Sequence, residues 1–256
     1  MKILVCIKQV PDMESKFQLN SEGLWYGEAN LAWRMNEYDE YAVEQAVRLK
    51  EQLGQADVCV LSLGPERVKE AMKKALAMGA DRGVHLLQEE PWRLEPFAVA
   101  SLIAAWAGPQ GFDLILTGMQ SQDRGSAQVG TLLGELLGLP VLGTLVEFAY
   151  EGGRVSGKRE LEGGLKAKVS AATPLVATCQ LGLNTPRYPT LPNIMKAKKK
   201  EIQTIAASSF GSFAPRVRTL KAAFPEKRKG GMVIRGDVAE STKQLLAVLK
   251  EKVSLN

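Results

Sequence analysis

Short apolar runs alternate with amphipathic segments along roughly the first 140 residues of the chain. Runs rich in β-branched and aliphatic residues, which are typical of buried strands, lie at residues 2–8, 57–63, 82–87 and 113–117. Segments with helical spacing of apolar residues lie at 40–53, 66–78, 96–106 and 128–137. Because parallel strands need crossover connections, which are usually helices, this order predicts an α/β fold with a doubly wound, mostly parallel sheet.

The pattern changes after Pro140. Strand-like segments follow at residues 141–150, 154–160, 166–172 and 175–180, with pairs of glycines at two of the turns between them. They predict an antiparallel extension of the sheet or an antiparallel flap on its edge. From about Glu201 the chain loses periodicity until an amphipathic helix at about residues 239–253. Because such a long, weakly structured stretch is unusual in a compact domain, we expect an arm that folds on another subunit.

Composition excludes several classes of protein. The chain has no long apolar run, and its strand-like N-terminus is too short for a secretory signal, so we expect a cytoplasmic protein without membrane insertion. The scattered cysteines, Cys6, Cys59 and Cys179, indicate buried reduced thiols. The single histidine, His85, lies in an apolar run, so we expect neither a histidine-rich metal site nor a histidine-based triad.

Positive charge is concentrated in one part of the chain. Residues 187–229 contain eleven lysines and arginines against two glutamates, a net charge of +9, so the remaining residues carry about −4 of the total of +5. Such a basic region favours an acidic protein, anionic lipid or nucleic acid as a partner. Aromatic residues are few and widely spaced there, which disfavours nucleic acid.

Residues 186–202, PRYPTLPNIMKAKKKEI, combine three prolines, an apolar patch and a run of lysines. Proline removes a backbone donor and fixes φ, which disfavours a core strand or helix. We therefore predict a stiffened loop that is presented to another protein. Its apolar tip and basic flank are formed by Leu191, Pro192, Ile194, Met195, Lys196, Lys198, Lys199 and Lys200. The alternative is a solvated lysine run that ends a domain.

A small and polar loop, residues 118–130, links a predicted strand to a helix N-terminus. Exposed amides and the positive end of a helix favour a phosphate at such a place. Gly125 and Ser126 permit close approach of the backbone, and Ser126 is also a reasonable helix N-cap. The loop has neither a GxGxxG nor a GxxxxGK[ST] pattern, so an ordinary capped strand–helix loop is the alternative interpretation.

Blocks of sequence along nearly the whole chain resemble the β subunits of electron-transfer flavoproteins. They run from LVCIKQVPD near the N-terminus through MNEYDEYAVEQAVRLKE, ALAMGADRG, TGMQSQDRGSAQVG and RELEGGL to GLNTPRYPTLPNIMKAKKKEI. The resemblance implies a fold of adenine-nucleotide-binding type and one bound AMP. It also implies a companion α subunit that holds most of an FAD.

The resemblance further implies roles for particular residues. Tyr38 matches a residue near the flavin ring, and Glu160 matches a carboxylate that contacts an α-subunit arginine. Leu191 matches the anchor of a recognition loop that docks on partner dehydrogenases, such as acyl-CoA or other flavin dehydrogenases. The residues implied for AMP binding are Cys6, Asn36, Asp39, Leu63, Gly118, Gln120, Ser121, Asp123, Gly125, Ser126, Ala127, Gln128, Val129 and Gly130.

The resemblance therefore implies a non-enzymatic electron carrier, which accepts electrons from primary dehydrogenases through FAD and passes them to a respiratory-chain acceptor. The residues themselves offer no general acid–base pair, because clustered carboxylates and a second histidine are missing from the sequence. Two alternatives stay open. One is an electron-bifurcating form in which a second FAD replaces AMP, and the other is a stand-alone ATP-binding signalling module of similar fold.

These expectations divide the chain into three parts. Residues 1–185 are predicted to form the α/β nucleotide-binding domain, residues 186–202 the recognition loop, and residues 203–256 the C-terminal arm and helix that pack on the α subunit. Two departures from the family pattern bear on the choice between AMP and FAD. Cys6 stands where alanine is usual, and the loop around Arg124 is intermediate between the two forms.

Overall fold

A nine-stranded sheet organises residues 1–222, the first of two structural units of the chain. The structure, a computed structural model, describes residues 1–226 and 231–252, and the second unit begins at Ala223. The strands are β1 (Lys2–Cys6), β2 (Gln9–Pro11), β3 (Trp33–Met35), β4 (Asp57–Gly64), β5 (Arg82–Leu87), β6 (Leu114–Gly118), β7 (Val141–Glu151), β8 (Arg154–Glu160), β9 (Lys166–Ala172), β10 (Leu175–Cys179) and β11 (Ile202–Ala206). The helices are α1 (Glu37–Leu53), α2 (Lys69–Met78), α3 (Pro96–Ala107), α4 (Val129–Leu137), α5 (Leu191–Ala197) and α6 (Val238–Lys252).

The sheet is parallel through most of its width and antiparallel at one edge. Its strand order is β11-β5-β4-β1-β6-β10-β7-β8-β9. Neighbours from β11 through β7 run parallel, whereas β8 pairs antiparallel with both β7 and β9. A separate antiparallel pair joins β2 and β3. The predicted α/β fold, with a mostly parallel sheet and an antiparallel extension, is confirmed.

Both faces of the central strands are buried. Along β1, Ile3 and Val5 pack on one face in a cluster with α1 and α2, whereas Leu4 and Cys6 pack on the other face in a cluster with α3 and α4. Successive side chains of a strand point to opposite faces, so a strand that is covered on both sides needs an unbroken apolar run. This explains why the central strands are the clearest elements of the sequence.

The strand order reverses beside β1. From β1 the chain proceeds outward to β4 and β5 on one side, and then crosses to β6 on the other side. In open α/β sheets, ligands bind in the crevice beyond the carboxyl ends of the strands where the order reverses. The carboxyl ends of β1 and β6, at Cys6 and Gly118, therefore mark the expected position of a site.

The segment predicted as a stiffened loop contains regular structure, so that prediction was wrong in part. Residues Leu191–Ala197 form α5, and Pro192 occupies its first turn, where an amide has no helical partner to lose. The expected loss of regular structure from about Glu201 was wrong only for residues 202–210, because the described residues 211–226 and 231–237 form neither helix nor strand. Ile202–Ala206 form β11, which pairs with β5 and crosses the predicted boundary at residue 203.

Other element boundaries differ from the prediction by a few residues. The first strand ends at Cys6 because the amide of Lys8 donates to the carboxylate of Asp39, at 2.7 Å, instead of to a neighbouring strand. The C-terminal helix begins at Val238, close to its predicted start. Residue 253, the last one predicted for that helix, lies outside the described residues.

Within residues 1–226 and 231–252, no helix combines the length and the apolar character needed to cross a bilayer. The same ranges contain no group of three or more His, Cys, Asp and Glu side chains arranged to hold a metal ion. His85 lies fully buried in β5, with its Nε2 2.8 Å from the carbonyl oxygen of Gly64, so it is part of the core.

Replacing Gly118 by alanine is expected to destabilise the fold. A Cβ atom at this position would lie 2.2 Å from Asp39 Oδ1 and 2.7 Å from Tyr38 Cβ, so α1 would have to shift. We expect a loss of about 1–3 kcal/mol in the free energy of unfolding, measured by urea denaturation. Gly143→Ala is the matched control, because its nearest neighbour, Thr178 Oγ1, is 3.9 Å away. Equal losses in both variants would contradict the prediction.

Candidate functional site

A cleft opens beyond the carboxyl ends of β1 and β6, where the strand order reverses. Thirteen of the fourteen residues that the sequence implied for AMP line this cleft, and Gly125 is the exception. They come from the end of β1, the start of α1, the end of β4 and the loop between β6 and α4. The structure thus brings together residues that are far apart in the chain.

Further aromatic and basic residues line the cleft, and sequence reasoning missed all of them except Arg124, which belongs to the predicted loop 118–130. These are Lys8, Trp25, Trp33, Arg67, Trp92 and Arg124. The Arg67 guanidinium lies 3.4 Å from the ring centre of Trp33, and the Arg124 guanidinium lies 4.7 Å from the ring centre of Trp25. Trp25 lies in the irregular segment between β2 and β3, whose sequence gives no local sign of a site. Stacking of arginines on these rings holds this part of the cleft wall in place.

The buried carboxylate of Asp39 connects three elements around the cleft. Its Oδ2 accepts a hydrogen bond from the Lys8 amide at 2.7 Å, and its Oδ1 accepts one from the Gly118 amide at 3.1 Å. Because Asp39 lies in the first turn of α1, this single side chain holds the ends of β1 and β6 against that helix. Burial raises the pKa of Asp39 to about 7, although the hydrogen bonds it accepts act in the opposite direction.

Asn36, the N-cap of α1, holds the loop that follows β6. Its Nδ2 donates to the carbonyl of Gln120 at 2.9 Å, and its Oδ1 accepts a hydrogen bond from the amide of Gln122 at 3.0 Å. Asn36 and Asp39 line the cleft, but their polar atoms bind backbone groups of this chain. Both residues therefore shape the cleft.

Internal contacts also fix the middle of the loop between β6 and α4. Lys8 Nζ lies 2.6 Å from the Asp123 carboxylate. The Arg124 guanidinium donates to the carbonyl of Leu94 at 2.6 Å and to the carbonyl of Trp92. Burial lowers the pKa of Lys8, and the negative charge of Asp123 opposes that change. The two cations at this end of the cleft are thus engaged by groups of the chain itself.

The loop enters α4 through two residues of positive φ, Gly125 at 60° and Ala127 at 52°. The helix begins at Val129, and its N-cap, Gln128, makes no side-chain capping bond. The prediction of Ser126 as N-cap was therefore wrong, because the turn moves the N-cap position two residues further along. Amides without a side-chain cap at a helix N-terminus favour anions, so this end of the cleft fits a phosphate group.

Another part of the cleft is apolar. Leu63 near the end of β4 lines it together with Pro96, Val99 and Ile103 from α3. Apolar walls of this kind suit the face of a planar ring, and a few polar groups then fix its orientation. The two parts of the cleft together fit a ligand that carries both a phosphate and a planar apolar group.

The residues matched to flavin and α-subunit contacts lie outside the cleft lining. Tyr38 lies in the first turn of α1, and its phenolic oxygen accepts a hydrogen bond from Gln120 Nε2 at 3.0 Å. Glu160 is exposed at the end of β8, where its carboxylate accepts a hydrogen bond from Gln180 Nε2 at 3.4 Å. Its exposure leaves Glu160 accessible to a partner.

The residues predicted for docking lie on α5 and in the turn after it. Leu191 is 78% exposed, and the other exposed side chains of this surface are Pro192, Ile194, Met195, Lys196, Lys198 and Lys199. Lys200 differs, because its Nζ donates to the carbonyl of Leu76 at 2.9 Å and to the carbonyl of Ala80. These carbonyls lie at the C-terminal end of α2, so Lys200 fastens the segment to that helix.

Replacing Asp39 by asparagine is expected to loosen the cleft. Both carboxylate oxygens accept hydrogen bonds from backbone N–H groups. The side-chain NH2 of an asparagine would face one of these N–H groups and could not accept its hydrogen bond. We expect a loss of about 1–3 kcal/mol in the free energy of unfolding, measured by urea denaturation at pH 8. Asp113→Asn is the control, because Asp113 accepts one amide, that of Lys2, which an asparagine oxygen can still accept. An Asp39→Asn loss no larger than that of the control would contradict the assigned role.

Comparison with known proteins identifies the family. A family model described as electron transfer flavoprotein domain matches residues 23–209. The electron transfer flavoprotein subunit beta of Bacillus subtilis is 32% identical, over 100% of both chains. Proteins of the same description are 39% identical in Bradyrhizobium diazoefficiens, over 96% of this chain and 97% of that one, and 36% identical in Homo sapiens, over 98% and 97%. The chain therefore belongs to the electron transfer flavoprotein family, as a β subunit.

Proposed function

We propose that this chain forms a heterodimer with an α subunit and carries electrons from primary dehydrogenases to a respiratory-chain acceptor in the cytoplasm. The observation that carries the proposal is the cleft beyond β1 and β6, because thirteen residues implied for AMP lie together there. The relatives are described as subunits beta of electron transfer flavoproteins, which supports an α-subunit partner and a shared flavin.

We propose AMP as the nucleotide that binds in this cleft. Its phosphate would bind backbone amides between Gly125 and Val129, and its adenine would pack on the apolar wall near Leu63. Lys8 and Arg124 are engaged by a carboxylate and by carbonyl groups of the chain. The phosphate would thus depend on the helix N-terminus more than on these cations, and AMP would serve as a structural ligand.

FAD, held mainly by the α subunit, would supply the redox chemistry of the complex. This chain would orient that cofactor and its neighbours. Tyr38 would lie near the flavin, and Glu160 would contact an α-subunit arginine. Within the second unit, α6 exposes Leu245, Leu246 and Leu249, an apolar face that suits packing on the α subunit.

Docking on a dehydrogenase would use the exposed surface of α5. Leu191 would fill an apolar pocket of a flavin dehydrogenase, such as an acyl-CoA dehydrogenase. Lys196, Lys198 and Lys199 would attract an acidic rim around that pocket. Electrostatic attraction of this kind chiefly raises association rates, whereas a buried apolar anchor contributes most of the affinity.

The nucleotides released from the purified heterodimer test this assignment. The chain is co-expressed with the α subunit of the same organism, the complex is denatured by heat, and the released nucleotides are quantified by chromatography. We expect one FAD and one AMP per heterodimer. Two FAD molecules and no AMP would instead identify the electron-bifurcating form and refute AMP as the second nucleotide.

Replacing Ser126 by valine is expected to weaken AMP binding, because a β-branched side chain hinders the approach of the phosphate to the loop backbone. A ligand present at about 100 times its Kd stabilises the folded state by about 2.7 kcal/mol, so its loss should lower the melting temperature. Ser208→Val is the control, because Ser208 is exposed and lies outside the cleft lining. A Ser126→Val heterodimer that keeps both its AMP and its melting temperature would contradict this site.

Replacing Leu191 by alanine is expected to weaken docking without changing assembly. Truncation of an aliphatic anchor at an interface often costs a few kcal/mol, so the KM for the reduced dehydrogenase should rise by at least about tenfold. Flavin content and direct chemical reduction should stay unchanged. Leu53→Ala is the control, because Leu53 is a partly exposed leucine at the far end of α1. Loss of folding or of nucleotide in Leu191→Ala would show that the residue belongs to the core.

A further inference from the structure

Residues 188–199, named here the docking segment, are preceded by an arginine that binds two glutamates of α1. The Arg187 guanidinium bonds both oxygens of Glu44, at 2.8 and 3.1 Å, and both oxygens of Glu51, at 2.5 and 2.9 Å. The amide of Arg187 also donates to Glu44 at 3.1 Å. Side-chain and backbone bonds therefore fix this residue on the helix together.

The carboxylate of Glu44 is suited to this task because it is itself buried and fixed. Its side chain is 3% exposed, and it accepts a further hydrogen bond from Arg48 at 2.7 Å. Burial pushes the pKa of Glu44 upward, but the hydrogen bonds from Arg187 and Arg48 outweigh that effect and lower it. Nearby, Asn184 Nδ2 donates to the carbonyl of Tyr41 at 3.0 Å. The chain that enters the docking segment is thus attached to α1 at several points.

The other end of the docking segment is attached to α2 and β5. Ala197, the last residue of α5, is buried in the core cluster that includes α2. Lys200 binds carbonyl groups at the end of α2, and β11 then joins the sheet beside β5. Between these two attachments, Tyr188 is 93% exposed and Leu191 is 78% exposed. A short apolar tip is therefore presented from two fixed ends.

We infer that Arg187 is a positioning residue that holds the docking segment in its binding-competent shape. A segment ordered before binding loses less conformational entropy when a partner docks, so its affinity is higher. Arg187 suits this role better than lysine because its planar fork binds two carboxylates at once. The inference rests on the proposed docking function, and it assigns Arg187 an effect on docking without contact between its guanidinium and the partner.

The test compares Arg187→Gln with the unchanged heterodimer, using the full-length chain. Hydrogen exchange of the amides in the docking segment should accelerate at least about tenfold, while exchange in β1, β4 and β6 stays unchanged. The KM for the reduced dehydrogenase should rise about tenfold, with kcat at saturation unchanged. Arg187→Lys should recover only part of both effects.

Two further variants provide a milder change at the same ion pairs and a matched control. Glu51→Gln removes an exposed carboxylate and leaves the buried Glu44 pair in place, so we expect a smaller rise in KM, about twofold to fivefold. Arg93→Gln is the matched control, because Arg93 also bridges two glutamates, Glu22 at 2.6 Å and Glu90 at 3.0 Å. This control should change neither exchange in the docking segment nor the KM.

Distinct results separate this inference from the proposed function. Faster exchange in Arg187→Gln, with an unchanged KM while Leu191→Ala raises the KM, would refute the positioning role and keep the docking role. An unchanged KM in both variants would refute docking by this segment, and the inference would fall with it. Unchanged exchange in Arg187→Gln would show that the arginine does not order the segment, whatever the kinetics.

Discussion

The carboxylate of Asp39 is the contact on which the arrangement of the cleft depends. Strands β1 and β6 pair as far as Cys6 and Thr117, and the amides of Lys8 and Gly118 lie just beyond that pairing. Asp39 accepts both amides with one buried side chain. Gly118 must lack a Cβ atom for the carboxylate to come so close. The helix start and both strand ends are therefore positioned by a single group.

Helix α1 carries this constraint across the molecule. Its N-cap Asn36 and its first-turn residue Asp39 lie at the cleft, and its later turns hold Glu44 and Glu51, which bind Arg187. An α-helix of this length spans about 25 Å and transmits position with little bending. The cleft and the docking segment are consequently both attached to one helix, which fixes the distance between them.

The sequence predicted the sheet from local patterns, whereas most of the cleft residues were implied by the family resemblance. Apolar runs mark the buried strands, and the polar loop before α4 is contiguous. The sequence could not predict features that depend on contacts between residues that are distant in the chain. Helix α5 depends on the packing of Ala197 in the core cluster that includes α2, and β11 depends on its pairing with β5. The aromatic wall at Trp25 and the pairing of Arg187 with Glu44, 143 positions away, likewise have no local signal.

The three cysteines have a consequence for how this molecule can be studied. Cys6, Cys59 and Cys179 are all buried, and burial raises the pKa of each thiol, that of Cys59 to about 12. The thiolate is the nucleophilic form, so these groups are unreactive near neutral pH. A cysteine introduced in place of Tyr188 would then be the one thiol that a maleimide dye modifies in the folded chain. The native cysteines would thus scarcely compete for the dye when a single fluorophore is attached to the docking segment.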